Sequence, residues 1–153
     1  AIGKLIILSG IDALITSLAK KNIPILGTCA GAILLAKHSS GYINETNQKL
    51  VGLMDIEISR NAYGRQKDSF ETMLHTPAGD TTGVFIRSPL IKKVFGDADV
   101  FIKMKDEIVG ARQGNIIALT FHPELSGDLK IYKYFLSIVK RQYLNKVKSR
   151  VNH

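Results

Sequence analysis

The sequence predicts an α/β domain with an antiparallel extension, and three observations support this fold class. An apolar, strand-like run at residues 22–27 lies between helical patterns at residues 2–21 and 30–37. Several short strand patterns, separated by Gly, Pro and Asp turns, fill the middle of the chain. The chain then closes with a buried-strand pattern and an amphipathic helix. Because 153 residues suit one core, we expect a single domain over residues 1–153.

The N-terminal elements follow from apolar periodicity and turn residues. Residues 2–21 have an apolar helical side and a break at residues 9–10. The run at 22–27 is bounded by turn formers, which is typical of a buried parallel strand. Residues 30–37 are almost wholly apolar and predict a short helix buried on most sides, whereas the polar stretch 39–49 predicts a loop.

The remaining elements are mainly strands. Apolar and polar residues alternate over residues 55–59, which predicts a strand with one solvent-exposed face. Turn residues delimit four further short strands and one buried strand, at residues 69–74, 83–88, 100–104, 107–112 and 115–121. The closing helix has its apolar side at Ile131, Tyr134, Phe135, Ile138 and Val139.

Composition and charge exclude several functional classes. The net charge is +8, from 21 basic and 13 acidic residues. No acidic residue follows Asp128, so the basic surplus belongs to one terminal helix, at Lys130, Lys133, Lys140, Arg141, Lys146, Lys148 and Arg150. We therefore expect no nucleic-acid partner. No apolar run approaches the roughly 20 residues that span a bilayer, so we expect no membrane role. A single cysteine favours a reducing, cytoplasmic location.

The segment Gly27-Thr28-Cys29-Ala30-Gly31 has the pattern of a nucleophile on a tight turn between a strand and a helix. At the start of a helix, the Cys29 sulfur lies near backbone N–H groups that favour the reactive thiolate. The Ala30 N–H is placed to bind an oxyanion that forms beside the sulfur. The alternative is that Cys29 is a small buried apolar residue, as most lone cysteines are.

The segment Phe121-His122-Pro123-Glu124 ends the last predicted strand and supplies a second candidate. Pro123 favours an extended His122, so the side chains of His122 and Glu124 project to one face. A carboxylate beside an imidazole fixes its tautomer, as an acid–base partner of a thiolate requires. Taken alone, a His-X-Glu pattern is a weak signal and is more often a surface pair. Both segments end strands, where sites lie in open α/β sheets.

The other histidines carry no such pattern. His38, His75 and His153 lie in or beside polar segments or at the terminus, without a spaced set of ligands. We therefore expect no metal site and no cofactor.

With these residues in place, the sequence resembles the class I glutamine amidotransferases, whose Cys–His–Glu triad matches Cys29, His122 and Glu124. Within that group it resembles the family of glutaminase subunits of pyridoxal 5′-phosphate synthases. The resemblance runs along nearly the whole chain. The block Arg60–Gln66 separates this family from other glutaminases. The matching stretches are residues 27–31, 60–66, 69–71, 83–89 and 120–125.

The resemblance implies an open, mostly parallel sheet with helices on both faces. It implies hydrolysis of L-glutamine through a cysteine thioester, with the ammonia passed to a (β/α)8-barrel synthase subunit that makes vitamin B6. Carried over by position, glutamine contacts fall on Arg60, Ile86 and Arg87. An arginine suits the α-carboxylate of an amino acid because its fork binds both oxygens. The alternative for Arg60 is a surface charge at a strand edge.

Family members have a strand–helix–strand portion before the part matched here, with a Pro-Gly-Gly-Glu-Ser loop that supplies an oxyanion N–H. Ala1 resembles a position just after that loop, so we expect an N-terminally incomplete chain. Two other functions stay open. One is a catalytically inactive module that only binds a partner, and the other is a hydrolase of γ-glutamyl compounds without ammonia transfer.

Overall fold

The computed structural model describes residues 10–40, 50–60 and 69–152. These residues form three α-helices, nine strands and one 3₁₀ turn. In chain order they are α1 (Ile11–Lys20), β1 (Ile25–Thr28), α2 (Ala30–Leu35), β2 (Ala36–Ser40), β3 (Met54–Ser59), β4 (Ser69–Thr76), β5 (Gly79–Ile86), β6 (Leu90–Val94), β7 (Asp99–Met104), β8 (Glu107–Gln113), β9 (Ile116–Leu119), the turn Pro123–Leu125 and α3 (Lys130–Val151).

Seven strands form the main sheet, in the order β1-β9-β8-β6-β3-β2, with β7 paired to β8. Parallel pairs lie at its two ends, β1 with β9 and β2 with β3. The antiparallel extension comprises the pairs β3–β6, β6–β8, β7–β8 and β8–β9. β4 and β5 form a separate antiparallel hairpin. The α/β class and the antiparallel extension are thereby confirmed.

Two apolar clusters show that helices cover both faces of the sheet. Neighbouring residues of β9 alternate between them: Ala118 belongs to the cluster that contains α2, whereas Ile117 and Leu119 belong to the cluster that contains α3. Because successive side chains of a strand point to opposite faces, α2 and α3 pack on opposite sides. From α3, Ile131 and Ile138 are buried, as the apolar periodicity predicts, whereas Val139 is exposed, so its placement on the apolar side was wrong.

The short helix after Cys29 ends two residues earlier than the sequence predicts. α2 stops at Leu35, and Ala36 has an extended ψ of 142°. The following residues form β2, which pairs in parallel with β3 from Ala36 opposite Met54 to Ser40 opposite Ser59. The predictions of helix through Lys37 and of loop at Ser39 and Ser40 were therefore wrong. The backbone groups of this segment find partners in β3, which no local pattern indicates.

The prediction of an exposed face on β3 was also wrong, since Asp55 and Ser59 are both buried. The Asp55 carboxylate pairs with the Lys37 ammonium and accepts a hydrogen bond from the Asp97 N–H at 2.9 Å. Its own N–H donates to Gln113 Oε1 at 2.7 Å. The hydrogen bond from Lys37 and that from the Asp97 N–H hold the Asp55 pKa below its ordinary value.

The other predictions differ in extent. The strand predicted at 83–88 spans Gly79–Ile86, and β6 has no counterpart among the predicted strands. The strand at 115–121 is shorter, at Ile116–Leu119. The helical pattern of 2–9, the loop at 41–49 and most of the block at 60–66 lie outside the described residues. Within the described part of the chain, no helix is both long and apolar enough to cross a bilayer.

Candidate active site

Cys29 lies at a sharp turn between β1 and α2, as the glycine-flanked pattern predicts. Its φ of 50° and ψ of −108° are unusual for a residue with a side chain. Such a conformation costs about 1–3 kcal/mol and persists only where the surroundings enforce it. Here the Cys29 N–H donates to the Leu119 carbonyl at 2.8 Å, and its carbonyl accepts from Ala32 and Ile33. The turn is therefore held from both sides.

The two glycines of the turn have different roles. A Cβ at Gly27 would lie 2.9 Å from the backbone carbon and oxygen of Gly31 and 2.5 Å from Leu35 Cδ1. Gly27 therefore permits the close approach of β1 to α2. A Cβ at Gly31 would have no atom within 4 Å among the described residues, so packing against those residues does not require glycine.

The surroundings of the Cys29 thiol oppose its ionisation. Burial raises the thiol pKa above its ordinary value, and the charge of Glu124 raises it further. A hydrogen bond with the Ala30 N–H acts in the opposite direction but is the weaker effect. The sequence predicts a favoured thiolate. The Ala30 N–H does lower the thiol pKa, but burial raises it by more. The Ala30 N–H interacts with the sulfur itself, and its predicted role toward an oxyanion stays a prediction.

His122 and Glu124 form the predicted pair. His122 Nδ1 lies 2.6 Å from Glu124 Oε1, and the imidazole is more buried than the carboxylate. Pro123 begins a 3₁₀ turn whose last residue, Leu125, donates its N–H to the His122 carbonyl at 3.2 Å. The His122 N–H donates to the Val84 carbonyl of β5 at 2.8 Å. The imidazole is therefore fixed both by its backbone and by the carboxylate.

The sheet brings the two segments to one edge. In the parallel pair β1–β9, Thr28 is opposite Leu119, so both strands end side by side, just before Cys29 and Thr120. Two residues beyond Thr120 lies His122. A thiol, an imidazole and a carboxylate at one strand edge can support acyl transfer, with the imidazole as acid and base.

Two of the three predicted glutamine contacts lie near this edge. The bond from His122 to Val84 places β5 against the histidine, and Ile86 and Arg87 follow directly at the strand end. Both side chains are exposed. Arg87 has a φ of 45°, and the Ile86 N–H donates to the buried Ser88 hydroxyl at 3.1 Å. This strained turn gives the two residues a fixed backbone.

Arg60 is the exception. It follows β3, on the other flank of the sheet from β1, and its N–H donates to the Ser40 carbonyl at 3.1 Å. The described hydrogen bonds thus place Cys29, His122, Glu124, Ile86 and Arg87 around one edge, and Arg60 at the end of a different strand pair. No group of three or more His, Cys, Asp or Glu side chains in the described residues could hold a metal ion.

Sequence patterns missed two features of this edge. The carbonyl of Val84, which anchors His122, is backbone and has no sequence signature. Thr120 is fully buried beside the Cys29 turn. In the sequence it belongs to the matched stretch at 120–125, but no pattern there indicates a role for its side chain. Its position before the Phe-His-Pro-Glu segment is the available signal.

Comparison with known proteins decides the family. The profile of the SNO glutamine amidotransferase family matches residues 1–141. This chain belongs to the SNO glutamine amidotransferase family. A curated relative from Methanosarcina acetivorans, named pyridoxal 5′-phosphate synthase subunit PdxT, is 46% identical over 138 residues, covering 89% of this chain and 69% of the relative. A protein of the same name from Thermoanaerobacter pseudethanolicus is 46% identical over 141 residues, covering 90% and 72%.

Solved structures agree with this family. The crystal structure of a glutamine amidotransferase superposes with a TM-score of 0.83 at 38% identity, over 91% of this chain and 73% of the other. The crystal structure of a glutamine amidotransferase from Thermotoga maritima has a TM-score of 0.54 at 17% identity, over 94% of this chain and 59% of the other. At that identity it supports the fold alone.

Proposed function

We propose that this chain is the glutaminase subunit of a pyridoxal 5′-phosphate synthase. It hydrolyses L-glutamine to glutamate and passes the ammonia to a (β/α)8-barrel synthase subunit. One observation carries the proposal. Cys29 lies on a strained turn at the end of β1, and the neighbouring strand β9 leads to the His122–Glu124 pair. The chain that holds this arrangement is about 46% identical to proteins named as subunits of that synthase.

The proposed reaction starts with the Cys29 sulfur as nucleophile. His122 first takes the proton of the Cys29 thiol, and the resulting thiolate attacks the side-chain amide carbon of glutamine while the Ala30 N–H stabilises the oxyanion that forms. His122 in its protonated form gives a proton to the departing nitrogen, which leaves as ammonia while a γ-glutamyl thioester remains. His122 then removes a proton from water, which attacks the thioester and releases glutamate and the Cys29 thiolate. Glu124 holds the imidazole and stabilises its positive form.

Substrate positioning is proposed for Arg60, Ile86 and Arg87. The arginines suit the α-carboxylate of a free amino acid, and Ile86 and Arg87 are exposed at the end of β5. For Arg87 the proposal is supported by the fixed turn beside His122. For Arg60 it is supported by the family resemblance of the block that begins there.

Ammonia release from glutamine, with and without the purified synthase subunit, tests the proposed function. We expect release that increases on addition of the partner and that Cys29→Ala lowers by more than about 10³-fold. His75→Ala is a matched control, because His75 is an exposed hairpin histidine paired with Asp80 and lies outside the proposed site. Partner binding without release would instead indicate an inactive module. Turnover of γ-glutamyl peptides that ignores the partner would indicate a hydrolase.

A further inference from the structure

Thr120 carries a buried hydroxyl that the fold does not use. The residue is 0% exposed, and its N–H donates to the Val109 carbonyl at 2.9 Å. Its Oγ1 has no hydrogen-bond partner within the described parts of the chain. A valine has the same shape and would avoid the loss of hydration that an unpaired hydroxyl suffers. Buried unpaired groups of this kind are rare in native proteins and call for a specific explanation.

The position of Thr120 offers that explanation. Thr28 pairs with Leu119 in the parallel ladder of β1 and β9, so the next residues along both chains are Cys29 and Thr120. The Cys29 N–H still donates to the Leu119 carbonyl, so the two chains stay adjacent at this point. Neighbouring strands lie about 5 Å apart, so Thr120 is the residue beside Cys29 where the two strands end.

We propose that Thr120 is a positioning residue whose hydroxyl donates a hydrogen bond to the Cys29 sulfur when that sulfur is charged. This inference rests on the proposed function of Cys29 as nucleophile. The sulfur is charged before it attacks and again when it leaves the thioester, and a hydrogen bond to a charged acceptor is stronger than one to a neutral thiol. The hydroxyl is therefore unpaired in the resting thiol and used in the reaction.

The charges around Cys29 indicate why a hydrogen bond from the Thr120 hydroxyl would help the reaction. Burial and the Glu124 carboxylate both disfavour the thiolate, and the Ala30 N–H opposes them. During the reaction the same N–H is needed by the oxyanion on the substrate. A second donor on the neighbouring strand would stabilise the sulfur while Ala30 serves the oxyanion.

The test is the pH dependence of alkylation by iodoacetamide, which reports the thiol pKa without any glutamine turnover. Cys29 is the only cysteine, so the reaction is specific. For Thr120→Val we expect a thiol pKa higher by about one unit, and so alkylation about tenfold slower at neutral pH. We expect kcat to fall about tenfold with little change in KM. Thr120→Ser, which keeps the hydroxyl, should restore the wild-type profile.

Thr81→Val is the matched control. Thr81 is also buried, but its hydroxyl donates to the Asp128 carboxylate. Loss of the Thr81 hydroxyl should therefore leave the Cys29 thiol pKa unchanged. If Thr120→Val does not give folded protein, Thr120→Ala removes the same hydroxyl without adding volume. A wild-type thiol pKa in the folded Thr120 variant would overturn the proposal, even if stability changes. If the thiol pKa is raised in the Thr120 variant and the wild-type protein releases no ammonia, the positioning role is supported and the proposed function is contradicted.

Discussion

Replacing glycine by alanine on either side of Cys29 should have opposite effects on stability: we expect it to destabilise the fold at Gly27 and not at Gly31. Gly27→Ala places a Cβ 2.9 Å from the backbone of Gly31, where ordinary contact begins at 3.4 Å. Backbone atoms cannot rotate away, so β1 and α2 must separate by about 0.5 Å. Overpacking of this kind costs about 1–3 kcal/mol. For a chain of this size, that lowers Tm by about 2–12 °C.

The same displacement should reach the chemistry, because α2 begins at Ala30 and carries the proposed oxyanion N–H. A misplacement of about 1 Å costs roughly 100-fold in rate, so half of that distance predicts a loss of about tenfold in kcat. Gly31→Ala is the control for stability. Its Cβ has no neighbour within 4 Å in the described residues, and alanine favours a helix over glycine by up to about 1 kcal/mol.

Urea unfolding followed by circular dichroism, with glutaminase assays on the same preparations, measures both effects. We expect a lower midpoint for Gly27→Ala at unchanged m-value, and an equal or higher midpoint for Gly31→Ala. Equal stability of the Gly27 variant and the wild type would refute the argument. So would a loss in the Gly31 variant as large as that in the Gly27 variant, because it would show that close approach is not what distinguishes the two positions.

Two further predictions concern the carboxylates. Asp55 has a lowered pKa in the folded state, so its stabilisation is complete above its ordinary pKa of about 3.9 and is lost as pH falls through the folded value. Asp55→Asn should therefore lower Tm at pH 7, and the deficit should shrink below pH 4; a deficit that persists unchanged to pH 2 contradicts this. Glu124→Gln should reduce kcat by about 10²–10⁴-fold while lowering the Cys29 thiol pKa, measured by alkylation; a raised thiol pKa would show that the assigned charge effect has the wrong sign.

The parts of the site that the sequence predicts correctly depend on neighbouring residues. The turn at Cys29 follows from glycines on both sides and from an apolar run on each flank. The His122–Glu124 pair is predicted, but it forms through the 3₁₀ turn that begins at Pro123 and not through an extended chain. These interactions span five residues or fewer, so local patterns contain them. The order of the strands depends on pairs that are far apart in sequence, such as Thr28 with Leu119, and no local pattern encodes that register.

The errors on β2 and β3 have a common physical origin. Lys37 and Asp55 are charged, and charged residues usually indicate a solvent-exposed face. Here the parallel pairing of β2 with β3 brings the two charges together across 18 residues of sequence, and Asp55 becomes buried because its carboxylate is fully engaged. The exposed face of β3 was predicted from its polar residues. Because an ion pair with a distant residue lets a polar residue be buried, that prediction fails here.

Glu124 shows which contacts of the candidate site a local pattern can predict and which effects depend on the fold. Its carboxylate fixes His122 at 2.6 Å, which a two-residue spacing predicts, but its charge also acts on Cys29, which lies 95 positions away in sequence. The charge of that carboxylate disfavours a negative sulfur and so raises the Cys29 pKa, in the same direction as burial. The spacing of residues therefore predicts the His122–Glu124 pair, whereas the raised Cys29 pKa follows from burial and from a charge that only the folded chain brings near the sulfur.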